Sequence, residues 1–396
     1  MKRCSKGNEG KTKMIPAHRA IVLVLSFCAH SWTAASQVAL STVGYTNIGT
    51  ALDVQVSDHY AYLANGGSGL RVCDISNPTN PVSAGQAASS GYPRSVAVVG
   101  KYAYLGIDGG FDIFDVSNPG SPIKTGSAYF SGSANTIIAR SNFAYVLNGV
   151  YDVSNPSNPT KVGPNPGFGG FNSVSWGNYI YGTAANSSPT LWISDLTVPA
   201  SPTNIYSSGF GYLWGVAVSG RYLYAASQSF TLAGQVRQGV LAFDISDPAH
   251  PVYISSTSNY IRAGACLVVS GKYAYLAHDT LMVYDISNPT NMVLAGQMGG
   301  LGNTFGLSVA GNYAYATTAA GLLVIAIKPQ LTLSQPDAPH ILLSWPAIAP
   351  FALQATTNLT SGSWAAITNS PTEEGAGAKV LLQKPSTNVY FRLVSE

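Results

Sequence analysis

An all-β fold is predicted by three features of this 396-residue chain. Only 9% of the residues are charged, while 46% are hydrophobic and 11% aromatic, which excludes disorder and suits buried strands. An aromatic-x-Tyr pair recurs along the chain, and a short Asp-to-Pro turn follows most copies. The repetitive part also begins with one strand too many and ends with one too few. Together these predict a seven-bladed β-propeller closed by an N-terminal strand and followed by a small β-sandwich-like domain. Collagen is excluded by the missing G-x-y period, and a long coiled coil by the missing heptads.

Residues 1–36 read as a signal peptide. Lys2, Arg3, Lys6, Lys11, Lys13 and Arg19 precede an apolar run from Ala20 to Ala29, and small residues follow up to Thr33-Ala34-Ala35-Ser36. That is the order of basic region, short apolar region and cleavage site. The apolar run is too short to span a bilayer as a mature helix. Cleavage is expected after Ala35 or Ser36, and initiation at Met14 instead of Met1 would give a basic region of ordinary length. Phe27 ahead of Cys28 excludes a lipoprotein box. Removal leaves a net charge of −2 and only Cys73 and Cys266 as thiols. This is not a disulfide scaffold, and with no Lys/Arg cluster no nucleic-acid partner is expected. The expected product is exported and monomeric, either secreted or at the cell surface, with the periplasm as the alternative. No membrane span is expected in the mature chain.

Residues 37–329 carry the repeat. The aromatic pairs are Tyr60/Tyr62, Tyr102/Tyr104, Phe143/Tyr145, Tyr179/Tyr181, Tyr222/Tyr224, Tyr273/Tyr275 and Tyr313/Tyr315. Their spacing of 36 to 51 residues is the length of a four-strand unit. Strand a alternates, as in Ser95-Val96-Ala97-Val98, and ends in a tight turn such as Gly100-Lys101, where glycine supplies positive φ. Strand b carries the aromatic pair at i and i+2, hence on one face, where it fills the space between units. Strand c ends at Asp74, Asp115, Asp152, Asp195, Asp244 or Asp285. In the Asp-x-Ser-Asn-Pro turn the carboxylate accepts backbone N–H bonds and proline fixes φ. A second proline (Pro81, Pro122, Pro159, Pro202, Pro251) opens strand d, which suits an outer edge. The seventh unit stops after strand c at Pro329, and the surplus strand from Gln37 to Tyr45 is expected to pair with it, hiding a sheet edge.

The segments LRVCDISNPTNP, LMVYDISNPTN and VLAFDISDPAHP resemble the LVIVD repeats of secreted bacterial β-propeller proteins. The resemblance covers about residues 37–329. It implies a propeller at or outside the cell surface, without an established activity, and supplies no catalytic residues. The fourth unit departs from the pattern (Asp195-Leu196-Thr197-Val198-Pro199), and the seventh lacks the Asp. Residues 330–396 lose the repeat. The alternating stretches 341–345, 351–357, 363–368, 379–383 and 389–394 predict a small C-terminal β-module. Leu343-Ser344-Trp345, Asn358-Leu359-Thr360 and Phe391-Arg392-Leu393 make it similar to fibronectin-III-like modules.

Catalytic motifs are sparse. Gly66-Gly67-Ser68-Gly69-Leu70 misses the last glycine of a nucleophile elbow. The histidines His59, His250, His278 and His340 are scattered, and neither H-E-x-x-H nor C-x-x-C occurs. Asp108-Gly109-Gly110-Phe111-Asp112 reads as a strand turn, because the further ligands of a Ca²⁺ loop are missing. Cys73 and Cys266 fall on units that are not neighbours, too far apart for a disulfide, and read as small buried hydrophobes. No cofactor and no metal are expected.

Function is therefore sought on the face that varies between units, built by the d–a and b–c connections. At the start of strand a stand Arg94, Asn135, Asn172, Trp214 and Phe305, with Tyr92, Tyr212 and Arg262 in the nearby loops, joined there by Phe130, Phe168, Phe210 and Tyr260. Amide and guanidinium donors beside aromatic platforms suit a glycan or a peptide. Further along strand a, the inner positions are Asp53/Gln55, Ser95/Ala97, Thr136/Ile138, Ser173/Ser175, Gly215/Ala217, Cys266/Val268 and Gly306/Ser308. The predicted function is a secreted or cell-surface, non-catalytic binding or scaffold propeller. The alternatives are an extracellular hydrolase or lyase with an axial active site, for which Asp53 is the innermost acid, and a purely structural surface protein.

Overall fold

Each repeat forms an antiparallel sheet whose strands follow one another in the chain. In the first unit strands a to d are Ala51–Ser57, Tyr60–Asn65, Gly69–Asp74 and Val82–Ala87; in the sixth they are Cys266–Ser270, Tyr273–Ala277, Thr280–Asp285 and Val293–Gly299. The computed structural model describes residues 20–23, 38–167, 172–187, 190–259, 261–337, 339–346, 351–357, 363–369, 371–374, 377–385 and 389–395. Every regular element among them is a strand. The a–b turns carry positive φ at one recurring place: Asp58, Gly100, Ser141, Gly177, Gly220, Gly271 and Gly311, all between 50° and 58°. Two of these turns therefore hold a non-glycine residue in the left-handed region.

The fifth unit's extra residues, 227–239, do not make an irregular loop. They lengthen strands b and c into one hairpin, Tyr222–Leu232 with Gln235–Asp244, turned at Ala233 and Gly234 with both at positive φ. Ala185–Ser187, from the fourth unit's b–c connection, pairs with Phe210–Ser219 of the fifth sheet. The surplus strand Val38–Asn47 pairs antiparallel with Gly321–Pro329, from Val38↔Pro329 to Asn47↔Gly321.

Packing lies between sheets. Tyr62 joins Val96, Leu105 and Phe114 of the second unit; Tyr145 joins Ile180 and Trp192 of the fourth; Tyr315 joins Val54, Leu63 and Ile75 of the first. The second Tyr of every pair is buried, so burying these rings is what holds neighbouring sheets face to face.

The Asp turns fold as their chemistry dictates. Ser76 N–H donates to Asp74 at 2.8 Å and Ser117 N–H to Asp115 at 2.9 Å, and the same bond recurs at Asp152, Asp195, Asp244 and Asp285. A second Asx turn follows at Asn77, Asn118, Asn155, Asp247 and Asn288. The serine donors hold Asp74, Asp115, Asp152 and Asp244 below their ordinary range. A carboxyl so lowered adds stability at neutral pH that is lost as pH falls through the lowered value. Asp115→Ala removes bonds from Ser117 N–H and, at 2.6 Å, Ser117 Oγ. It should cost about 1–2 kcal/mol in urea unfolding at pH 7.

One further contact recurs. Added Cβ atoms at Gly44, Gly85 and Gly126 would strike the carbonyl oxygens of Pro78, Pro119 and Pro156. Each of these prolines ends the Asp turn of the next unit. Glycine in strand d thus lets the neighbouring turn lie flat against the strand. In the fifth unit Ser255 instead donates its hydroxyl to Pro289 O at 2.5 Å.

Near the C-terminus, one sheet comprises Thr332–Asp337, His340–Pro346, Gly377–Gln383 and Thr372–Glu374. A second comprises Phe351–Thr356, Tyr390–Ser395 and Ala365–Ala366. Ile341, Leu343, Trp345 and Val380 of the first meet Leu353, Phe391 and Leu393 of the second in one core. Ala20–Leu23, within the predicted signal peptide, pairs antiparallel with Tyr390–Ser395; the other residues of 1–36 lie outside the described residues.

Candidate functional site

Strand a of each unit lies beside strand a of the next. Ala51–Ser57 packs on Pro93–Val99, followed by Ile138–Arg140, Asn172–Trp176, Phe210–Ser219, Cys266–Ser270 and Thr304–Ala310, which returns to Ala51–Ser57. These strands surround a cavity of about 490 Å³. The inner positions read from the sequence line it in every unit except the fifth, where Gly215 and Ala217 are absent from the wall. A Cβ on Gly215 would lie 2.7 Å from Leu267 N and 2.8 Å from Leu267 Cβ, so the fifth and sixth strands close on each other there.

The wall is stitched by side chains reaching across strands. Gln55 both accepts from Val98 N–H at 2.8 Å and donates to Val98 O at 3.2 Å. Ser95 Oγ donates to Ala134 O at 2.8 Å, and Cys266 Sγ to Phe305 O at 3.1 Å. Asp53 accepts from Val54 N–H at 2.8 Å and from Val96 N–H at 2.9 Å. Burial outweighs those two bonds and pushes the Asp53 carboxyl up to about 6. Cys266 belongs to this wall and is only partly buried, which corrects its reading as a buried hydrophobe, whereas Cys73 is fully buried. Both thiols are free.

Four of the predicted mouth residues line the cavity: Arg94, Asn135, Asn172 and Phe305. Arg94 grips Asp108 with two bonds of 2.9 Å and lies over the Tyr92 ring at 5.0 Å. Arg94 in turn holds the Asp108 carboxyl below its ordinary range. Trp214 is not among the lining residues. Its indole N–H donates to Gln228 at 3.2 Å, and its ring stacks on Tyr212 at 6.2 Å. Arg262 pairs with Asp279 at 3.5 Å in the loops. Phe168 and Tyr260 lie outside the described residues, as does the side chain of Phe210.

Sequence reasoning missed Asp108 and Gln228 as partners of Arg94 and Trp214. The Asp108-Gly109-Gly110 segment is the b–c turn of the second unit, with Gly109 at φ +88°. Among the lining residues Asp53 is the one carboxylate, Arg94 the one strong base, and histidine does not occur. Hydroxyls and amides make up the rest of the polar surface. Such a wall can read a ligand by hydrogen bonds. The histidines stay apart: His250 pairs with Asp247 at 2.8 Å and His340 with Asp337 at 2.7 Å, each within its own turn. Among the described residues no group of three or more His, Cys, Asp or Glu is placed to hold a metal ion.

The LVIVD repeat matches residues 48–88, 90–128, 131–164, 210–258, 264–299 and 301–344, more than half of the chain. The chain belongs to the LVIVD-repeat family. Within this LVIVD-repeat protein the longest gap between matched repeats, 165–209, holds the fourth unit with the altered turn; Thr197 N–H still donates to Asp195 at 2.6 Å. Comparison with curated proteins gives no match. Among solved structures, the Cps50 (Swd1) β-propeller domain of Myceliophteria thermophila is similar with a TM-score of 0.54 and 12% identity, over 72% of this chain and 99% of that one. The computationally designed Ika8 protein is similar with a TM-score of 0.50 and 12% identity, over 70% and 83%. BamB from Moraxella catarrhalis has a TM-score of 0.49 and 14% identity, over 72% and 97%. The likeness to the Swd1 domain concerns the fold alone: this LVIVD-repeat protein is a β-propeller.

Proposed function

We propose that this LVIVD-repeat protein is a secreted or cell-surface, non-catalytic binding propeller that takes a glycan or a peptide at its axial mouth. In this reading residues 1–36 are a signal peptide and residues 330–396 a small separate module. Seven blades form the ring, and Val38–Asn47 serves as the last strand of the seventh. The Gly44–Pro78 approach supports that role for the N-terminal strand, because it repeats Gly85–Pro119 and Gly126–Pro156 in kind.

The binding reading is carried by one observation: Arg94, Asn135 and Asn172, from three successive units, meet at one cavity together with Phe305. Convergent polar groups beside an aromatic in a concave site are the usual form of a ligand pocket. The cavity is large enough for a sugar unit or a few peptide atoms, and its hydroxyl and amide wall offers both donors and acceptors.

The test is a glycan and peptide array on the mature protein, followed by calorimetry on the double variant Asn135→Ala/Asn172→Ala. A ligand should be found, and the double variant should bind it at least about tenfold more weakly with an unchanged melting temperature. A blank array, or full affinity in the double variant, overturns the proposal.

A further inference from the structure

The axial cavity is electrostatically lopsided. Its titratable wall groups are Asp53, Arg94 and Cys266. Arg94 is already neutralised by its two bonds to Asp108, outside the wall. Cys266 lies on the strand two places round the ring from that of Asp53; its thiol is pushed up to about 12, first by desolvation and then by the Asp53 charge, so it stays neutral. The partners of Asp53 are two backbone N–H groups from its own strand and the next one. A partly buried carboxylate with no cation bonded to it leaves its charge to be met by whatever enters the cavity.

We propose that the ligand carries a primary ammonium group, which seats against Asp53 with the hydroxyls of Ser95 and Ser308 on the two flanking strands. An ammonium is a compact three-donor cation, and Asp53 Oδ1 and Oδ2 each keep a lone pair beyond the one given to the backbone. Neighbouring serine hydroxyls take up its other two protons. A metal ion is the poorer match, since one carboxylate falls short of the oxygen set that Ca²⁺ or Mg²⁺ requires. The inference rests on the binding reading and names the chemistry of the bound group; an amino sugar and a lysine side chain both supply it.

The raised carboxyl gives a further handle. An ammonium ligand favours the ionised Asp53, so its binding strengthens as pH rises through about 6 and weakens by up to about tenfold per pH unit below that value. Lysine keeps its charge over this range, so the pH dependence reports on the protein.

The experiment compares Nα-acetyl-lysine amide with its Nε-acetylated form, and a glucosamine oligomer with its N-acetylated counterpart, by calorimetry on the mature protein. At pH 6.5, where both free amines carry charge, one of them should bind at least about tenfold more tightly than its acetylated form, and the pair that shows this names the source. For a lysine ligand the preference should shrink between pH 6 and 5. Asp53→Asn should abolish the preference for the free amine. Equal binding of free and acetylated forms overturns the inference but leaves the binding reading standing; no binding of any glycan or peptide overturns both. Should Asp53→Asn fail to fold, the wild-type comparison of free and acetylated ligands decides alone.

Discussion

A chain that begins at Asn47 should lose its melting transition or aggregate, with any remaining midpoint lowered by more than about 10 °C. The shortened chain lacks the partner of Gly321–Pro329 along almost the whole strand. It also lacks Val38, which is buried with Tyr273, Leu281 and Ile327, and the 3.0 Å bond from Tyr45 OH to Ala320 O. What remains is an exposed edge carrying Ile325 and Ile327, a template for pairing with another chain. Calorimetry with light scattering on the two proteins checks this. A soluble product with the wild-type midpoint would show that Val38–Asn47 decorates the sheet without supporting it.

The second large effect is expected at Gly126. Valine is the better strand former, so propensity alone predicts that Gly126→Val stabilises the protein. The recurring contact predicts the opposite sign, because the new Cβ would meet Pro156 O, a backbone atom that cannot rotate away. The cost should be about 3 kcal/mol or more, since the Asp152 turn must be pushed off the strand. Gly120→Ala is the control: its nearest neighbour is Asn118 Oδ1 at 3.4 Å, and its effect should stay within about 0.5 kcal/mol. Denaturant unfolding of the two variants settles the sign.

The Tyr pairs, the a–b turns and the Asx turns were legible because each depends on residues a few positions apart. Strand alternation places Tyr60 and Tyr62 on one face, and Asp74 reaches Ser76 wherever the chain goes next. The strand-d glycines were not legible as contacts, because Gly126 meets Pro156 only after two units have docked. The site shows the same division. Asp53, Ser95 and Ser308 could be placed in the wall from strand period alone. The partners Asp108 and Gln228 could not, since both arrive from b–c segments whose course varies by unit. Nor did the sequence announce that the fifth and sixth strands approach closely enough to remove Gly215 and Ala217 from the cavity.

The pairing of Val38–Asn47 with Gly321–Pro329 also sets an order in time. The chain is made from its N-terminus, yet Tyr45 and its partner Ala320 stand 275 residues apart. Synthesis at 5–20 residues per second alone separates the two strands by roughly 15–55 s, and the proposed export before folding lengthens that interval. Through that interval its apolar residues, Val38 and Leu40, must stay clear of every sheet already formed. Intermediate units can dock on one another as they appear, but the final strand pairing waits for the end of the repeat. A stop codon before Gly321 therefore leaves both ends of the repeat without partners, however well the earlier units have folded.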